Sequence, residues 1–308
     1  MSYDPDLVHR LVLIALAATL LVGCGGDDDG TSSGTDASDL AVPWVDPDGD
    51  PPIVGGLSVN PGDGILLMTT NTGMFRIAPD ATKPEAFTGT LETPSGSGKL
   101  SEALVSRFIE PDTVLGSGHP SAGESLPPAL GLIRSEDAGK TWSSVSELGK
   151  ADFHAIETSG NSIVAALFGQ AQVFVSEDGG RNWATKAAPL PIVAIEVDPD
   201  DARRWIASTQ SGIFRTTDGG ETWREVEPIP NVRFAWNEDS DLYRIDPGGD
   251  VKVSTDRGES WKALGSTGGE PQALTVDADG KLYAALIDGT VAVSDDGGQT
   301  FTEQIAGG

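Results

Sequence analysis

At 308 residues, with 39 Gly, 20 Pro and only 6% aromatics, the chain is long enough for one large core and rich in turn formers, which suits an all-β domain of many short strands. Its 47 acidic against 20 basic residues give a formal net charge of −27, a surface that repels phosphate backbones and argues against nucleic acid as a partner. Cys24 is the only cysteine, so no disulfide can form within the chain and packing and ladder hydrogen bonds must hold the fold.

Residues 11–22 form an apolar run too short to span a bilayer but right for the core of a signal peptide, although the charge before it is weak, His9 and Arg10 standing against Asp4 and Asp6. The run ends Leu21-Val22-Gly23-Cys24, which resembles a bacterial lipobox. The resemblance implies cleavage before Cys24, lipidation of that residue, and a mature protein tethered to a membrane on the extracytoplasmic side of the cell envelope. Residues 24–52 follow as an acidic Gly, Ser, Thr, Asp and Pro stretch that cannot bury enough surface to order itself, and reads as a flexible tether. The expected division is 1–23 signal peptide, 24–52 tether and 53–308 folded domain.

One octapeptide pattern then recurs five times. It reads Ser135-Glu-Asp137-Ala-Gly139-Lys-Thr141-Trp142, and returns with Asp178 and Trp183, Asp218 and Trp223, Asp256 and Trp261, and Asp296 and Phe301. Successive aspartates (137, 178, 218, 256, 296) stand 41, 40, 38 and 40 residues apart, a period that marks a propeller or array. Asp followed by Gly between β-rich runs is hairpin chemistry: the carboxylate accepts backbone N–H bonds, the glycine supplies positive φ, and the aromatic opens the next strand.

Aligning on the turns parses each repeat into four strands, A to D from channel to rim. The third repeat reads 152–158, 162–168, 172–177 and 182–186, and the fourth to sixth follow the same plan. Six blades result, at about 53–95, 97–149, 150–189, 191–229, 231–267 and 269–306. In the first the octapeptide has decayed to Ala78-Pro79-Asp80. A seventh blade is the alternative if 88–108 hides a short one. Residues 42–45 could close the ring as a strand of the last blade, with little support from the sequence.

Four-stranded meanders put A–B and C–D turns on one face and B–C and D–A connections on the other. The Asp turns are C–D turns, so their aspartates are expected to be structural, with any site on the opposite face. That face has one long B–C loop, in blade two, carrying His119 and Glu124, and blade three opens Asp152-Phe153-His154 on the same side. His119 and His154 are the only histidines of the mature chain. Asp152, His154, His119 and Glu124 are the candidate site, able to transfer protons or hold a metal, unless the histidines simply cap loops. No cofactor and no resident metal are expected.

The pattern S/T-x-D-x-G-x-S/T/N-W/F resembles the Asp-box or BNR repeat of sialidases and of other propeller families, including the sortilin-type receptors. Residues 115–120, 130–142 and 151–155 are similar to bacterial envelope proteins of the glycosylhydrolase-like, WD40/YVTN/BNR-like group. That resemblance implies the fold more than a reaction. Many relatives open blade one with histidines, where this chain has Ile53-Val54-Gly55-Gly56. A sialidase would need three arginines around one carboxylate. Arg76 aligns with Arg134 and Arg215 as a repeat position, leaving only Arg107 and Arg233 on inner strands. Another glycosidase would need two carboxylates about 5 to 10 Å apart. Asp152, Glu157 and Glu196 are the inner-strand candidates, and any pair would span blades. The expectation is a monomeric six-bladed propeller that binds or scaffolds a glycan or protein of the envelope. A glycoside hydrolase is the alternative, and an assembly factor for a membrane complex a third reading.

Overall fold

The computed structural model describes residues 52–101, 105–120, 123–237, 239 and 241–307. The signal peptide, Cys24, the tether and residues 42–45 lie outside them. Among the described residues no helix is long and apolar enough to cross a membrane.

The strands form six sheets, each built from one continuous stretch of chain. Blade one is β1 (Val54–Val59), β2 (Leu66–Thr70), β3 (Gly73–Ile77) and β4 (Glu85–Phe87). The second sheet holds β5 (Gly89–Thr93), β6 (Gly96–Leu100), β7 (Val105–Glu110), β8 (Thr113–Ser117), β9 (Leu132–Ser135) and β10 (Thr141–Ser146). Blade three is β11 (Phe153–Ser159), β12 (Ser162–Leu167), β13 (Gln172–Ser176) and β14 (Ala184–Ala187). Blade four is β15 (Ile192–Asp198), β16 (Asp201–Thr209), β17 (Ile213–Thr216) and β18 (Arg224–Glu227). Blade five is β19 (Arg233–Trp236), β20 (Leu242–Ile245), β21 (Asp250–Ser254) and β22 (Lys262–Ser266). Blade six is β23 (Pro271–Val276), β24 (Leu282–Leu286), β25 (Val291–Ser294) and β26 (Thr302–Ile305). The innermost strands β1, β7, β11, β15, β19 and β23 touch in succession, and β23 returns to β1, so the sheets close into a six-bladed propeller.

The stretch that could have hidden a seventh blade is a hairpin, β5–β6. It adds to the rim of blade two, β5 running parallel to β10 with Leu91 opposite Trp142. Blade one therefore ends at β4, and residues 89–95, placed in blade one by the periodicity, belong to the second sheet. A rim addition carries no octapeptide and changes no spacing between the five turns, so the repeat pattern is blind to it.

The five turns share one hydrogen-bond plan. In the first, Asp137 Oδ1 accepts the Thr141 amide at 2.8 Å and the Ser135 hydroxyl at 2.8 Å, and Oδ2 accepts the Thr141 hydroxyl at 2.6 Å. The Ser135 hydroxyl in turn accepts the Gly139 amide at 2.8 Å. Asp178, Asp218, Asp256 and Asp296 repeat the arrangement. The fourth and fifth positions are both left-handed, as in Gly179 (φ 72°) and Gly180 (φ 82°). Only Ala138 and Arg257 hold the fourth position without glycine.

The carbonyl of that fourth residue ties blades together. Arg76 donates to Ala138 at 2.7 Å, Lys186 to Gly219 at 2.7 Å and Arg215 to Arg257 at 3.2 Å, each cation coming from the preceding blade. Apolar clusters fill the spaces between sheets; one joins Leu57 and Phe75 of blade one to Tyr283, Val293 and Ile305 of blade six. Side chains complete that seam. Gln272 accepts the Val54 amide at 3.0 Å and donates to the Pro52 carbonyl at 2.8 Å, and Gln304 donates to the Ala78 and Pro79 carbonyls at 3.1 Å.

Candidate functional site

The topology puts the described residues of the loop between β8 and β9 (118–120 and 123–131), the residues before β11 and the loop between β12 and β13 on the face away from the Asp turns. The predicted residues divide there. Asp152 and His154 meet at the start of β11, Oδ2 to Nε2 at 3.3 Å, and the His154 ring lies 5.3 Å from that of Phe168 in the β12–β13 loop. Glu124 instead accepts from the amide and hydroxyl of Ser101 at the end of the β5–β6 hairpin. His119 is exposed in its loop. Among the described residues no group of three or more His, Cys, Asp or Glu side chains is placed to hold a metal ion.

The long loop is drawn toward the hairpin. Leu126 packs against Gly98, where any Cβ would collide with it, and the loop's base is closed by Leu130 N to the Gly118 carbonyl at 2.8 Å and Gly131 N to the Ala151 carbonyl at 2.9 Å. Gly131 has φ 63°, and a Cβ there would strike the Ser146 carbonyl and Glu147 backbone, so the sharp return requires glycine.

Phe168 is 65% exposed, and the other exposed large apolar residues among those described are Ile53, Leu190 and Ile287. Ile53 precedes β1, Leu190 links β14 to β15, and Ile287 links β24 to β25. All four fall on strand-A starts or B–C and D–A connections, the face opposite the Asp turns. This shared placement escaped the reading of the sequence, because each is a single residue in a short loop and only the blade topology assembles them.

A second group lies deeper, between inner strands. Arg107 of β7 contacts Glu157 of β11, Nη1 to Oε2 at 2.6 Å, and reaches Glu196 of β15, Nη2 to Oε2 at 4.0 Å. The two carboxyls face one guanidinium across three blades, and the Oε2 atom of each is buried without a hydrogen-bond partner. Their side chains are only 11% and 7% exposed. Burial pushes the Glu157 carboxyl up to about 7, against the pull of Arg107. Burial, and then the charge of Glu157, hold Glu196 well above the ordinary carboxylate range. Two of the three inner-strand acids thus come together across blades, around one arginine. The arginines considered as a carboxylate clamp do not gather: Arg76 serves the Ala138 carbonyl, Arg107 the two glutamates, and Arg233 the Gln272 carbonyl.

Residues 131–246, from the base of blade two's loop into blade five, match the model of the Sortilin-Vps10 family, described as sortilin, neurotensin receptor 3. The chain is 24% identical over 157 residues to the oligoxyloglucan-reducing end-specific xyloglucanase of Emericella nidulans, which takes in 37% of this chain and 19% of that enzyme. Among solved structures, an ancestral GH74 enzyme superposes with TM-score 0.51 at 17% identity, covering 84% of this chain and 38% of its own. YCF48 from Cyanidioschyzon merolae superposes with TM-score 0.47 at 15% identity, covering 82% of this chain and 85% of its own. The chain therefore spans about a fifth of the curated relative it matches. The class these observations define is a six-bladed β-propeller of glycosylhydrolase-like fold.

Proposed function

We propose that this propeller is a binding module of the bacterial cell envelope, built on Asp-box turns and anchored by a lipid on Cys24. Its ligand, a glycan or an envelope protein, docks over the face opposite the Asp turns. The observation that carries the reading is the exposure of Ile53, Phe168, Leu190 and Ile287 on loops of that face, with Phe168 against His154. Exposed apolar and aromatic side chains rimmed by polar groups favour a docked partner.

Glycoside cleavage is the weaker reading. Both glycosidase geometries hold the carboxyls about 5 to 10 Å apart so that the scissile bond or a water fits between them. Glu157 and Glu196 are buried around the Arg107 guanidinium, which stands where a scissile bond or water would have to fit.

Immobilised residues 31–308 should retain a glycan or protein from fractionated envelope, and Phe168→Ala should weaken that binding by about tenfold or more. Turnover of fluorogenic glycosides by the wild type would replace this reading with the enzymatic one. For the anchor, the full-length protein should sediment with membranes in a bacterial host, and Cys24→Ala should move it to the soluble fraction. An unchanged distribution would remove the lipid from the proposal.

A further inference from the structure

The Arg107, Glu157 and Glu196 group joins three blades through their inner strands, and nothing in the binding role above uses it. One guanidinium faces two carboxyls. Were both ionised, the group would hold a net negative charge in a seam where neither glutamate is more than about a tenth exposed. A lone buried charge is too costly to keep, whereas two carboxyls sharing one proton with one arginine make a neutral set. Among the described residues Arg107 is the one cation acting on the pair. Glu157 stands opposite Val164 of β12, and Glu196 opposite Ile206 of β16. β19 contributes only the Trp236 amide, its own Arg233 being engaged with the Gln272 carbonyl. Asp152 and His154, at the other end of β11, pair with each other.

We propose that this group is a proton-operated clasp across blades two, three and four, closed while Glu157 and Glu196 share one proton and loosened when that proton leaves. Loss of the proton leaves two like charges between β11 and β15 with only the Arg107 guanidinium to balance them. The sign follows from linkage. Both carboxyls sit above their unfolded values, so the folded state binds more protons than the unfolded one between about pH 4.5 and 7, and stability falls as pH rises through that window.

Two measurements test the clasp. Carboxyl carbon NMR of protein labelled at glutamate should show the Glu157 carboxyl titrating at about 7 and Glu196 well above the ordinary glutamate range; titration of every glutamate below pH 5.5 would overturn it. Melting temperatures at pH 5 and pH 8 should fall by roughly 2–4 °C more in the wild type than in Glu196→Gln, which keeps a hydrogen-bonding side chain but carries no charge. Parallel pH profiles in the two proteins would overturn the proposal. Should Glu196→Gln fail to fold, the NMR titration of the wild type decides alone.

Discussion

At the scale of single residues, the octapeptide is a hydrogen-bonding device whose every fixed position has a use. The aspartate takes donors from the first and seventh positions, which is why those positions are Ser, Thr or Asn. Those bonds favour the ionised carboxylate. The Asn182 side chain and then its amide hold Asp178 down to about 2; Ser260 and Thr300 hold Asp256 and Asp296 down to about 2, and Thr222 draws Asp218 lower in the same way. Folded carboxylates below an unfolded value of about 4 contribute stability that is present above that pH and lost as pH falls toward 2. Asp178→Asn should therefore lower the melting temperature at pH 7, because the amide nitrogen that replaces one oxygen cannot accept the bond from Asn182. The wild type should lose more stability between pH 7 and pH 2.5 than this variant does. Calorimetry at the two pH values checks both; equal losses would mean that the aspartate's charge is not what the turn uses.

At the scale of elements, one turn differs from its siblings because of what covers it. Trp183, Trp223, Trp261 and Phe301 are half-buried, whereas Trp142 is 1% exposed. The β5–β6 hairpin accounts for the difference. Leu91 and Leu100 pack in the same cluster as Trp142, and the strand-initial Gly89 sits where a Cβ would meet the indole. Trp142→Ala should cost about 3–5 kcal/mol in urea unfolding, the range for removing a large buried aromatic, and Trp183→Ala distinctly less. Equal costs would show that the hairpin does not bury Trp142 in any energetic sense. The hairpin was legible only as a stretch of uncertain blade membership. Its strands, Gly89–Thr93 and Gly96–Leu100, are short, glycine-containing and outside the repeat. The main strands of blades three to six were legible almost to the residue, because each is fixed at one end by an Asp turn and in its course by alternation such as Val251-Lys-Val253.

At the scale of the whole molecule, the ring closes without exchanging a strand among the described residues, since each sheet comes from consecutive chain. The seam between first and last blades relies on the Leu57, Phe75, Tyr283, Val293 and Ile305 cluster, and on the amides of Gln272 and Gln304. Neither glutamine stood out in the sequence, because an amide that bridges residues more than 200 positions apart looks like any surface glutamine. The same holds for the candidate site. Asp152 and His154 were readable as neighbours because the short interval between them places both at one strand's start. Glu124 was drawn to the hairpin, a partner the spacing could not show. Glu157 and Glu196 were recognisable as inner-strand acids, but their shared Arg107 depends on how three blades pack.

The repeat alone determined the all-β class and the face on which the Asp turns lie, and put the blade count at six with seven still open, since period, turn chemistry and strand alternation are local properties of the chain. Only the tertiary structure decided the rim hairpin, the seam, the exposed apolar residues on the opposite face and the buried glutamates around Arg107. Those features arise where residues remote in the chain are pressed together and lose water, and both the partner and the loss of solvent are set by packing.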